Sequence, residues 1–147
     1  MLLAVPVPAE PEAPMYWRRE FDGALDQARV VRAFAAHLLA GFPLLDDVLL
    51  VLDEMVVNAL RHTRSGRPGG RFAVEVRRDA AGVTVTVADE GGPSEPRVRA
   101  QGYPCDIAEL SECGRGLLTV QALATRWSWT GDARGRTVQA LFAARWR

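Results

Sequence analysis

Apolar positions along the chain repeat with two different periods, and the changes between them outline the fold. Over residues 24–39, Leu25, Ala28, Val31, Ala35, Leu38 and Leu39 recur at helical spacing. Gly41 and Pro43 interrupt the pattern, and a second helix is expected from Leu44 or Leu45 to His62. Asp46 and Asp47 fall in its first turn, where they complement the helix dipole. Val48, Leu49, Val51, Leu52, Met55, Val56, Ala59 and Leu60 give it a wide apolar face.

After a glycine- and proline-bearing loop at 65–70 the period becomes two. Phe72, Val74 and Val76 alternate with Ala73, Glu75 and Arg77; Val83, Val85 and Val87 alternate with Thr84, Thr86 and Ala88. Residues 79–82 between them have the composition of a hairpin turn. A short strand at 16–21, with Trp17, Arg19 and Phe21 on one side, precedes the helices. Trp17 and Phe21 read first as ordinary core.

Regularity fails over 90–113, which carries Gly91, Gly92, Pro93, Pro96, Gly102 and Pro104, with one helical turn expected at 106–110. A long irregular segment inside a small domain reads as a lid or binding loop. A helix from Leu117 to about Ala124 follows, then strands near 126–130 and 136–145 joined by 131–135. Strand, two helices, hairpin, lid, helix and hairpin make an α+β two-layer sandwich, its helices covering one face of a mixed, mainly antiparallel sheet.

Composition narrows the function classes. At 147 residues the chain is one domain's worth, with residues 1–15, which hold Pro6, Pro8, Pro11 and Pro14, read as a flexible tail and 16–147 as the domain. Hydrophobic content of 48% and charged content of 24% are those of a soluble globular protein. Zero formal charge gives no basic field for nucleic acid or an anionic membrane. All 18 basic side chains other than histidine are arginine, which excludes a P-loop lysine and Schiff-base chemistry. Cys105 and Cys113 lack a metal spacing, and without an export signal they read as reduced thiols in a cytoplasmic protein.

Three stretches carry candidate chemistry. Glu54, Asn58 and His62 are spaced four apart, so they share one edge of the second helix. A carboxylate, an amide oxygen and an imidazole together suit a divalent metal and an attacking oxygen; they also suit an ordinary solvent face. Asp89-Glu90-Gly91-Gly92 ends a strand where the sheet meets the lid, and aspartate is a common turn former there. Gly114-Arg115-Gly116-Leu117 opens a helix, where backbone N–H groups and the dipole favour an anion. Each alone is weak, but their order and spacing together are specific.

In that order they resemble the histidine-kinase-type ATPases of the Bergerat fold, and within them the small anti-sigma-factor serine/threonine kinases. Residues 54–62 resemble the family's N box, Asp89-Glu90-Gly91 the start of its G1 box, and Gly114-Arg115-Gly116-Leu117 its G2 box. The resemblance implies ATP and Mg²⁺ as cofactors. Asn58 would then offer its amide oxygen to Mg²⁺, and Glu54 would be the general base toward a hydroxyl attacking the γ-phosphate. Asp89 would accept a hydrogen bond from the adenine amine, with Gly91 letting the backbone pass close to the base. Gly114 and Gly116 would form a phosphate-facing hinge, with Arg115 and Leu117 beside it and Thr137 placing a hydroxyl near the adenine.

The implied partner is a sigma factor, an anti-anti-sigma protein, or both, and the small members' habit of pairing through the first strand and helix makes a homodimer an expectation. Three readings stay open: transfer of phosphate to a partner serine or threonine, sequestration of a partner with little turnover, or a slow stand-alone ATPase or degenerate member that no longer binds nucleotide. The chain departs from the family at Pro93, where a second G1 glycine is usual; proline stiffens the lid entrance and removes an N–H. The lid is also rich in acids, at Glu95, Asp106, Glu109 and Glu112, against Arg97 and Arg99.

Overall fold

A computed structural model describes residues 14–93 and 115–145. The tail before Pro14, the 94–114 lid with its acids, its arginines, both cysteines and Gly114, and the last two residues lie outside them. The described elements run β1 (Met15–Asp22), α1 (Gln27–Leu38), α2 (Leu45–His62), β2 (Arg71–Asp79), β3 (Gly82–Asp89), α3 (Arg115–Leu123), β4 (Arg126–Asp132) and β5 (Gly135–Ala143). A 3-10 turn, Arg64–Gly66, follows α2.

The strands form one sheet in the order β1-β2-β3-β5-β4. All four pairings are antiparallel, in a sheet expected to be mixed and mainly antiparallel. The chain meets this condition by returning: β4 is laid at the far edge, and a two-residue turn at Ala133 and Arg134 brings β5 back between it and β3. Asp89, at the end of β3, therefore faces Arg136, at the start of β5.

Period two along the strands separates two environments. Val74, Val76, Val83, Val85, Val87, Val138, Ala140 and Phe142 are buried in one core with Val31 and Ala35 of α1, Val48, Val51, Leu52, Met55 and Val56 of α2, and Val120 of α3. Each valine, leucine, methionine or phenylalanine among them contributes about 1.5–3 kcal/mol on burial, and together they fix the helices to this face. The opposite face is polar: Arg18, Glu20, Arg77, Ser128 and Gln139 are exposed. Its ion pairs, such as Arg18–Glu75 at 3.4 Å, are solvated. The α+β two-layer sandwich read from the sequence is the observed architecture.

The first strand behaves as its pattern implies. Phe21 is buried and stacks on Phe72 at 5.4 Å, while Trp17 stacks on Phe34 of α1 at 5.6 Å, with Arg19 over the Phe34 ring. Trp17 and Phe21 thus both pack against the core. Helix α1 begins three residues later than expected, because Ala24 to Asp26 form a turn in which Gln27 N–H donates to the Ala24 carbonyl at 3.0 Å.

Candidate functional site

Helix α2 buries its aliphatic face and leaves Glu54, Asn58 and His62 half-buried along one edge. Helix α3 packs chiefly on α2. Burial pushes the Glu54 carboxyl above its ordinary value and the neighbouring Asp53 charge adds to this, while Arg61 opposes both. A carboxylate raised in this way is a better proton acceptor than one in open water.

At its C-terminal end α2 runs into the exit of β3. The Thr63 hydroxyl donates to the Ala59 carbonyl at 2.6 Å and accepts from Ser65 N–H at 3.1 Å, turning the chain sharply. The turn then clasps the residues after Asp89. The fully buried Ser65 accepts the Glu90 N–H on its hydroxyl at 2.9 Å, and Arg64 N–H donates to the Gly91 carbonyl at 2.8 Å. The Arg64 guanidinium meanwhile donates to the Ala133 carbonyl in the β4–β5 turn.

Asp89 and the two glycines after it form the other half of the site. The Asp89 carboxylate accepts the Gly91 N–H at 2.6 Å. Burial drives its pKa upward and Glu90 adds to this, against the Gly91 amide, the Arg136 charge and the Arg136 amide, which lower it. Gly91 sits at φ +74, and a Cβ there would lie 2.4 Å from the Ala133 carbonyl oxygen. At Gly92 the close approach is to α2: a Cβ would come within 2.9 Å of the His62 carbonyl oxygen. The backbone therefore passes from the sheet to the end of α2 only because both positions lack side chains.

The structure sorts the expected site residues. Glu54 and Asn58 share the α2 edge, about two turns and one turn before the clasp respectively, and Asp89 and Gly91 lie in it. Arg115 and Gly116 form the first turn of α3, where a turn preceding the helix was expected; Leu117 is buried, so it anchors the helix start by packing.

Thr137 is a correction. It pairs with Ala88, one register position away from Asp89, so it lies on the opposite sheet face, with Gln139 and Leu141. The residue directly across from Asp89, on the same face, is Arg136.

Arg136, Arg64 and Ser65 were not among the expected residues. Parity carries a signal for Arg136, which shares the inward alternation of Val138, Ala140 and Phe142. The Thr-x-Ser spacing after α2 is the corresponding signal for the clasp.

No group of three or more His, Cys, Asp and Glu side chains able to hold a metal ion occurs among the described residues. A hard ion at Asn58 would need oxygens from phosphate and water, which is how Mg²⁺ is commonly bound. The half-buried acceptor at Asp89 and the lone amide oxygen at Asn58 thus fit a nucleotide carrying its own metal ligands.

An antiparallel sheet with helices on one face, and a polar α2 edge joined to a glycine-lined strand exit, define a candidate nucleotide-binding α+β domain. The chain belongs to the histidine kinase-like ATPase domain family, whose model matches residues 21–142. In fold it is similar to the solved structure of the RsbU and RsbW domains of Rv1364c from Mycobacterium tuberculosis. The TM-score is 0.65 at 20% identity, over 90% of this chain and 33% of that one. The chain thus spans about a third of the length of that solved chain. None of the curated proteins matches it. Among the described residues, no helix is long and apolar enough to cross a membrane.

Proposed function

We propose that the protein is an ATP-binding regulatory module that transfers the γ-phosphate to a serine or threonine of an anti-anti-sigma partner. Membership of the histidine kinase-like ATPase family supports ATP as the ligand, and the RsbW-domain fold supports a partner of that kind. The observation that carries the catalytic reading is Glu54, a half-buried carboxyl with a raised pKa one turn before Asn58. A module that only sensed nucleotide would need no proton acceptor there.

In this reading Asp89 accepts the adenine amine, Gly91 and Gly92 let the base lie close to the backbone, and Asn58 gives its amide oxygen to Mg²⁺. Bound ATP and Mg²⁺ supply an electrophilic γ-phosphorus and a stable leaving group. Glu54 takes the proton of the partner hydroxyl as its oxygen bonds to that phosphorus and ADP departs.

The test is incubation with Mg²⁺ and γ-labelled ATP, with candidate partner proteins encoded nearby. Label on a partner that Glu54→Gln abolishes while ATP binding persists supports phosphotransfer. Tight partner binding without label in any sample favours a sequestering module.

A further inference from the structure

The inward-facing arginine across from Asp89 has no role in the phosphotransfer chemistry, yet it is among the most enclosed charges among the described residues. Arg136 is 4% exposed. Its Nη2 donates to the Gly92 carbonyl at 2.7 Å, and its guanidinium carbon lies 5.9 Å from the centre of the Trp129 ring on β4. Its Nε–H is buried without an acceptor among the described residues. A guanidinium placed only to hold a fold would have its donors used up, because an unmet buried donor is costly. This one keeps a donor in reserve beside the strand exit.

We propose that Arg136 is a positioning residue for base recognition. It ties the Gly92 carbonyl to β5 and holds its positive charge beside the Asp89 carboxylate. The proposal rests on the reading of Asp89 as the acceptor of the adenine amine.

Two consequences follow from the geometry. The chain after Asp89 is fixed from both sides, by Arg136 at Gly92 and by Ser65 and Arg64 at Glu90 and Gly91. The Arg136 charge favours the ionised carboxylate against the burial that raises its pKa, and a charged acceptor binds an amine N–H more strongly. The Gly91 amide is the larger opponent of burial at Asp89, and Arg136 is the charge that acts in the same sense. Glu90, next in the chain, acts in the opposite sense. On the α2 side stand His62 and Arg64, and the Arg64 guanidinium is engaged by the Ala133 carbonyl. In the β4–β5 turn Asp132 accepts the Arg134 N–H at 2.8 Å.

The experiment measures MgATP affinity by calorimetry over a pH series running upward from the ordinary aspartate value of 3.8 to neutral pH. It uses the full chain as wild type, Arg136→Met, Arg136→Gln, Arg136→Lys and Asp89→Asn. In wild type, affinity falls as Asp89 takes up its proton at low pH. Arg136→Met is expected to bind about tenfold more weakly at neutral pH, with the midpoint of the pH profile displaced upward by about one unit. Arg136→Lys is expected to restore the midpoint. If the methionine variant does not fold, as judged by thermal unfolding, the glutamine variant is read the same way.

A neutral variant that keeps the wild-type midpoint overturns the proposal, whether or not its affinity drops, since a purely structural pin would leave the profile in place. An Asp89→Asn variant that binds as wild type overturns the reading of Asp89, and this proposal with it.

Discussion

The two halves of the candidate site are built in opposite ways. The α2 edge presents Glu54, Asn58 and His62 from a regular helix whose backbone is satisfied internally and whose other face is locked in the core. The strand exit has little regular structure. It is held by contacts from three directions: the Thr63–Ser65 turn, the β4–β5 turn against Gly91, and Arg136 on Gly92. Chemistry on the helix is therefore separable from folding, whereas at the strand exit recognition and folding share the same atoms.

Substitutions should reveal this division. The largest effect is expected at the helix. Glu54→Gln should lower phosphate transfer by about 10²–10⁴-fold, the usual contribution of a positioned base, while unfolding and ATP affinity stay near wild type. Single-turnover labelling, thermal unfolding and calorimetry together check it. The wild-type transfer rate should rise with pH as Glu54 loses its proton, with a midpoint above the ordinary glutamate value of 4.5.

At the strand exit the two properties should fall together. Gly91→Ala forces a Cβ against the Ala133 carbonyl at a positive φ, and about 2 kcal/mol of stability should be lost along with nucleotide affinity. Chemical denaturation and calorimetry on one preparation test the coupling. Affinity lost without stability would mean that the strand exit is as independent as the helix.

Legibility in the sequence follows the same division. Helix α2 and its polar edge could be read because spacing of four residues is a local property. The β2–β3 hairpin and its end at Asp89 could be read because strict alternation is local too. What lay opposite Asp89 was a matter of tertiary register. Thr137 and Arg136 are adjacent in sequence, and only the pairing of β3 with β5 decides which shares a face with Asp89. The clasp escaped for a similar reason, since Ser65 and Glu90 meet only after the sheet has formed.

A smaller effect concerns pH and stability. Because burial raises the Asp89 carboxyl, the folded protein holds more protons than the unfolded chain between the ordinary value of 3.8 and the raised one. Stability from this group is therefore lost as pH rises through that window. Asp89→Asn should gain on wild type across the same interval, by a margin that denaturation at several pH values would measure. The smallest effect belongs to the outer face of the sheet, where Arg18→Ala should change stability by no more than about 0.5 kcal/mol, as for other exposed ion pairs.

The most direct test of the central claim is calorimetric titration of ATP, with and without Mg²⁺, into wild type, Asn58→Ala and Asp89→Asn. The account predicts tight Mg²⁺-dependent binding by wild type and loss of the Mg²⁺ dependence in Asn58→Ala. Asp89→Asn should bind about 10–100-fold more weakly in either condition, the value of one hydrogen bond to a charged acceptor. Wild-type protein that binds no ATP, or an Asp89→Asn variant that binds it unchanged, would contradict it.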